Sequence, residues 1–256
     1  MTTIVAMTQD LFRSDSTLRE CTATVISHTA EGGVVLDRTV FYPLGGGQAG
    51  DAGELVRADG SAWAVGDTRK GKTAEGQPTS DIVHLPADAA AARPAVGETV
   101  TARLDWERRH RLMRFHTTTH LLCHVVAQPV NGCSITPDYA RLDFHMDGTL
   151  DKDALTAAIA RLVAEDHPVT IGSITDAELD ASPDLVKSMS VQPPRGSGTV
   201  RTVRVGGLGA GGDGGHIDLQ PCGGTHVSRT AEIGAVVVTK IEKKGAMSRR
   251  VVLGFA

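Results

Sequence analysis

The chain has 256 residues, 41% apolar and 22% charged, enough for a full core of one or two domains and too ordinary for wholesale disorder. Its apolar runs, such as 34–36 and 235–238, are far too short to span a bilayer, and the start MTTIVAMTQD has no secretory pattern. Four cysteines are too few for a disulfide scaffold, and a net charge of −4 leaves any nucleic-acid contact to local patches. A cytoplasmic protein without a membrane partner is expected.

In chain order, short β-type runs at 22–26, 33–36, 62–65, 81–84 and 99–104 alternate with Gly, Pro and Asp. The alanine run at 87–92 ends at Arg93-Pro94, and no long helix precedes it. These features predict an all-β first domain over 1–104, a small barrel. Asp105 can cap a helix over 106–127, in which Leu112, Phe115, Thr119, Leu122 and Val126 recur at helical steps. Pro129 and Asn131-Gly132 stop it. A strand over 139–145, a helix over 152–166, a strand over 169–174 and a short helix over 176–179 follow. Strands over 200–205, 235–241 and 250–255 complete the second domain, 105–256. Strict βαβ alternation is missing, so the predicted fold class is α+β, with the small β-barrel first. In the glycine tract at 206–215, Gly207, Gly209 and Gly212 fit G-x-G-x-x-G. No helical signal follows to hold a pyrophosphate, so the tract reads as a loop and no nucleotide cofactor is expected.

Chemistry concentrates in two clusters. His116 and His120 lie one turn apart on the long helix, about 40° from each other around its axis. Two imidazoles so spaced form a two-point metal chelate. A zinc protease needs Glu directly after the first His, where this chain has Thr117. The second cluster is Gln220-Pro-Cys222-Gly-Gly-Thr-His226, where Pro221 and Gly223-Gly224 forbid a helix. Such a loop can turn a thiolate and an imidazole to one point. His116, His120, Cys222 and His226 together make a tetrahedral set suited to zinc, one ion per chain.

These motifs resemble the freestanding alanyl-tRNA editing proteins of the AlaX type, which share their fold with the threonyl-tRNA synthetase editing domain. The likeness is carried by Phe41-Tyr-Pro-Leu-Gly-Gly-Gly-Gln48, Gly50-Asp-Ala-Gly53, Met113-Arg-Phe-His116-Thr-Thr-Thr-His120, Arg141-Leu-Asp-Phe144, Pro221-Cys222-Gly-Gly-Thr-His226, Glu232-Ile-Gly234 and Lys240-Ile-Glu-Lys-Lys-Gly245. It implies zinc, a barrel ahead of an α+β editing domain, and ATP-independent hydrolysis of mischarged Ser-tRNA(Ala), with Gly-tRNA(Ala) a second substrate. The two enzymatic readings are this one and Ser-tRNA(Thr) hydrolysis; a zinc-stabilised, non-catalytic RNA-binding module is the third.

Hydrolysis needs water at the ester carbonyl and a stabilised oxyanion, but no side chain is assigned as catalytic; a water on or beside the zinc is expected. Sparing alanine while cleaving serine calls for hydrogen bonds to one hydroxyl. Thr118, Thr225, Gln48 and Gly46 are the candidate substrate contacts. Lys240, Lys243, Lys244, Arg249 and Arg250 face only Glu242 in the same stretch, and are the candidate tRNA contacts. A second basic run holds Arg108, Arg109, Arg111 and Arg114 against Glu107. Oligomeric state is left open.

Overall fold

The structure, a computed structural model, describes residues 8–73, 75–193, 195, 198–207 and 215–256. Residues 208–214, most of the glycine tract, lie outside them. The chain divides into two compact units, Met1–Gly45 with Ala49–His110, and Gly46–Gln48 with Arg111–Ala256. Helices and strands mix as an α+β protein does. Among the described residues no helix is long and apolar enough to cross a membrane.

The first unit contains β1 (Gln9–Asp10), β2 (Glu20–His28), β3 (Val34–Leu36), β4 (Arg38–Thr39), β5 (Gly53–Val56), β6 (Ala62–Lys72), β7 (Pro78–Pro86) and β8 (Thr99–Leu104). Six of these pair antiparallel in the order β2-β3-β7-β6-β5-β8, and β8 returns to β2, closing the ring. Alternate residues point inward, as a strand's period of two requires: Trp63 and Val65 are buried while Ala62 and Ala64 are exposed. With Val25, Leu36, Phe41, Leu55, Val100 and Ala102 they fill the core. From β6 into the residue after it, Gly66-Asp-Thr-Arg-Lys-Gly71-Lys72-Thr73 has the spacing of a P-loop. It lies in a strand leading to a turn, so no helix N-terminus follows to cradle a phosphate. The alanine run at 87–92 forms bends and turns.

His84 is buried in this core. Its Nδ1 donates to the Val34 carbonyl at 3.0 Å, which leaves neutral Nε2 to accept from the Thr39 hydroxyl at 2.8 Å. Burial lowers its pKa to about 4, against a slight upward pull from the Val34 carbonyl. An unfolded chain protonates its histidines near pH 6.5, so below that pH the unfolded state binds the extra proton first. The neutral ring's contribution is complete above pH 6.5 and is lost as pH falls to about 4, by roughly 3 kcal/mol at the acid end. Urea midpoints at pH 7 and 4.5 test this: His84→Gln should show the smaller acid loss. An equal loss in both proteins rejects it.

Helix α1 (Trp106–Val126) starts where predicted, with Asp105 Oδ1 accepting from the Arg108 amide at 3.0 Å. The unit division falls after His110, within it. In the second unit β9 (Val130–Ile135), β10 (Ala140–His145), β14 (Val236–Gly245) and β15 (Ser248–Phe255) form a sheet in the order β14-β15-β10-β9. Helix α2 (Lys152–Ala164) packs on β14 and buries Leu155, Ile159 and Leu162. Strands β11 (Val169–Thr175), β12 (Thr199–Val205) and β13 (Asp218–Pro221) form a second sheet in that order, and α3 (Asp176–Ala181) follows β11. Helix α1 ends at Val126, before Pro129 and Asn131-Gly132, and Asn131-Gly132 itself lies inside β9, which pairs with β10.

Candidate metal centre

All residues of the centre belong to the second unit. Helix α1 buries its middle on every side, so His116 and His120 point into protein. Strand β13 delivers the loop that carries Cys222 and His226. The Cys222 backbone is fixed on β12: its amide donates to the Arg201 carbonyl at 3.2 Å, and Arg201 Nη1 donates to its carbonyl. His116, His120, Cys222 and His226 each offer a ligand atom, all within 4.8 Å of one another, and could hold a metal ion. Cys222 Sγ lies 3.5 Å from His116 Nε2 and 3.3 Å from His226 Nε2.

Each imidazole is oriented by its far nitrogen. His116 Nδ1 meets Gln48 Oε1 at 2.7 Å, His120 Nδ1 meets Asp218 Oδ2 at 2.8 Å, and His226 Nδ1 meets Thr117 Oγ1 at 3.1 Å. The first two partners are acceptors, so the proton sits on Nδ1. Thr117 donates its own hydroxyl to the Met113 carbonyl at 2.9 Å and so receives the His226 proton. The Gln48 amide orientation is fixed by Thr225, whose amide donates to Oε1 at 3.1 Å while Nε2 donates to Thr225 Oγ1 at 2.9 Å. Three Nε2 lone pairs are thereby left for a ligand, an outer shell of the kind that tunes metal sites.

Electrostatics favour a thiolate. Burial raises the Cys222 thiol, but the charges of His116 and His226 outweigh it and hold its pKa well below the ordinary range. Burial, with the charges of His116 and His120 behind it, pushes His226 well down. Burial also pulls His120 down, yet without an ion its hydrogen bonds to Asp218 and Cys222 carry it up to about 10, so a metal binding at Nε2 must displace a proton there.

The glycine-rich stretch works through Gln48. Gly46 and Gly47 have φ of 58° and 88°, the left-handed region that favours glycine. A Cβ on Gly47 would lie 2.9 Å from Cys133 Sγ, and the Gly47 carbonyl accepts from the Ile135 amide at 2.8 Å. This seat on β9 aims Gln48 at His116. Gln48 and Thr225, expected as substrate contacts, are fully buried and hold each other and His116. Thr118 does not join: it is buried, and its hydroxyl donates to the Arg114 carbonyl at 2.8 Å. One position earlier, Thr117 instead orients the ligand His226. Asp218 was not singled out from the sequence. Its place two residues from Gln220 on β13 is the signal, since Gln220 Nε2 donates to Asp218 Oδ2 at 2.9 Å.

The basic residues divide. Lys243 and Lys244 are exposed, while Lys240 pairs with Glu242. Arg250 is held by Asp143 at 2.7 and 2.9 Å. Arg249 is buried, with its guanidinium donating to the carbonyls of Gly245, Ala246, Asp147 and Gly148. It ties down the β14–β15 turn, contrary to its expected tRNA contact. In the other run Arg109 is fully buried in the first unit, paired with Asp51 and bonded to the carbonyls of Ser16 and Val40.

Comparison with known proteins places these motifs in context. Residues 200–252 match the threonyl and alanyl tRNA synthetase second additional domain, and residues 11–108 match class II (A) tRNA synthetases. An alanyl-tRNA editing protein AlaX-M of Methanosarcina acetivorans is 34% identical over 95% of this chain and 97% of its own. The AlaX-M of Saccharolobus solfataricus is 32% identical over 96% and 98%. An alanine–tRNA ligase of Thermofilum pendens is 33% identical over 92% of this chain and 25% of the ligase.

Proposed function

The chain belongs to the alanyl-tRNA editing proteins, and from that membership we propose that it hydrolyses mischarged Ser-tRNA(Ala), and Gly-tRNA(Ala), sparing Ala-tRNA(Ala). The observation that carries the reading is the convergence of His116, His120, Cys222 and His226 with an oriented outer shell. Three imidazoles and a thiolate are a borderline-soft set fit for one zinc ion. A tetrahedral zinc site places S and N ligands about 3.5 Å apart, close to the 3.3 and 3.5 Å from Cys222 Sγ to His226 and His116. Bound zinc supplies positive charge that can polarise an ester or acidify a water.

The chain's own residues do the rest. Gln48, Asp218 and Thr117 keep the three Nε2 atoms turned inward, and Cys222 holds the anionic charge. Thr225, fully buried, acts through Gln48, whose amide it orients toward His116. Lys243 and Lys244 are the proposed phosphate contacts of the hairpin. We propose that residues 1–104 act as a β-barrel domain and 105–256 as the zinc-containing editing domain of an ATP-independent, cytoplasmic enzyme. The test is deacylation of Ser-, Gly- and Ala-tRNA(Ala) beside Ser-tRNA(Thr). A site that hydrogen-bonds the serine hydroxyl should prefer Ser- over Ala-tRNA(Ala) by about 10⁴. Equal rates, activity confined to Ser-tRNA(Thr), or binding without hydrolysis reject the assignment.

A further inference from the structure

Among the described residues, two arginines of α1 in the second unit lack a carboxylate partner, as Arg249 does, but unlike Arg249 have no hydrogen bond to an Nη group. Arg141 and Arg250 share Asp143, Arg161 meets Glu165, Arg195 meets Asp180 and Arg229 meets Asp166. Arg111 and Arg114 have no carboxylate within ion-pair distance among the described residues. Both are half-buried and packed on one aromatic ring. Their Cζ atoms lie 4.5 and 4.1 Å from the Phe255 centroid, and Phe115 stacks on the same ring at 4.1 Å.

Each guanidinium is pinned through one nitrogen. Arg111 Nε donates to the Pro137 carbonyl at 2.7 Å, and Arg114 Nε to the Ile233 carbonyl at 2.6 Å. Among the described residues no hydrogen bond engages any of their four Nη groups. Gly234 keeps room for Arg114: at φ 65° a Cβ there would lie 3.1 Å from Nη2. The charges are not neutralised locally. Burial, and then the charge of Arg111, lower the Arg114 pKa.

A half-buried pair of like charges is costly unless an anion joins it. Aromatic stacking offsets part of that cost and also holds the planes rigid. A guanidinium fixed at Nε presents its two Nη groups as a fork that matches phosphate oxygens. We infer that Arg111 and Arg114 form a phosphate-binding clamp for the tRNA backbone, separate from the Lys243-Lys244 hairpin. The inference rests on the tRNA reading given above.

The test is binding of uncharged tRNA(Ala) across a salt series, with zinc content and thermal melting as controls of folding. Each lost phosphate contact reduces the slope of log K against log [salt] by about 0.7 to 0.9. The double variant Arg111→Gln, Arg114→Gln should lower the slope by about 1.4 to 1.8 with zinc content unchanged. Arg111→Lys, Arg114→Lys keeps the charge and should stay near the wild-type slope. If the double glutamine variant does not fold, the single variants are each expected to lose about 0.7 to 0.9. A wild-type protein without salt-dependent tRNA binding sinks the tRNA reading and the clamp together. Normal wild-type binding, with folded glutamine variants of unchanged slope, sinks the clamp alone and leaves the pair as packing for Phe255.

Discussion

Cys222→Ser should strip the protein of its metal. The thiolate is the one anionic donor, with Sγ 3.5 Å from His116 Nε2 and 3.3 Å from His226 Nε2. Serine keeps the volume but is not ionised at neutral pH, so three neutral imidazoles remain. After dialysis against a chelator, zinc should fall from about one per chain to under about 0.1. Deacylation should fall with it. The loop itself should survive, because its backbone bonds to Arg201 do not involve the thiol. Elemental analysis with a circular-dichroism melt tests both. Stoichiometric zinc in the folded variant would falsify the donor set.

Much of this centre was legible in the sequence because the signals were local. A three-residue gap in a capped helix puts His116 and His120 on one face, and Pro and Gly mark a loop at Cys222 whatever the rest of the chain does. The outer shell was not legible, because its pairs are long-range: Gln48 meets Thr225 across 177 positions, and His120 meets Asp218 across 98. Thr117 and Thr118 differ by about 100° around the helix, and only the arrival of His226 separates a ligand's partner from a back-bonded neighbour. Strand β9 was hidden because Asn131-Gly132 is turn chemistry in isolation, while pairing with β10 overrides it. Arg249 was misread because a charge run does not disclose which of its charges tie down a turn.

Gly224→Ala should empty the centre from the other side. A Cβ at this position would collide with Cε1 and Nδ1 of His116 and lie 2.9 Å from Gln48 Oε1. His116 cannot retreat: it is buried, and its Nδ1 is held by Gln48 at 2.7 Å. One methyl group therefore displaces a ligand and breaks the bond that orients it. Loss of such outer-shell support typically costs about 10 to 100-fold in metal affinity, and overpacking costs about 1 to 3 kcal/mol of stability. Gly245→Ala is the control, since nothing lies within 4 Å of a Cβ there. Chelator competition should show weakened zinc binding in Gly224→Ala and wild-type binding in Gly245→Ala. The stability change should be measured without metal, so that lost packing is not confused with lost zinc. Wild-type zinc affinity in Gly224→Ala would mean that His116 can move aside, and that its bond to Gln48 does not set its position.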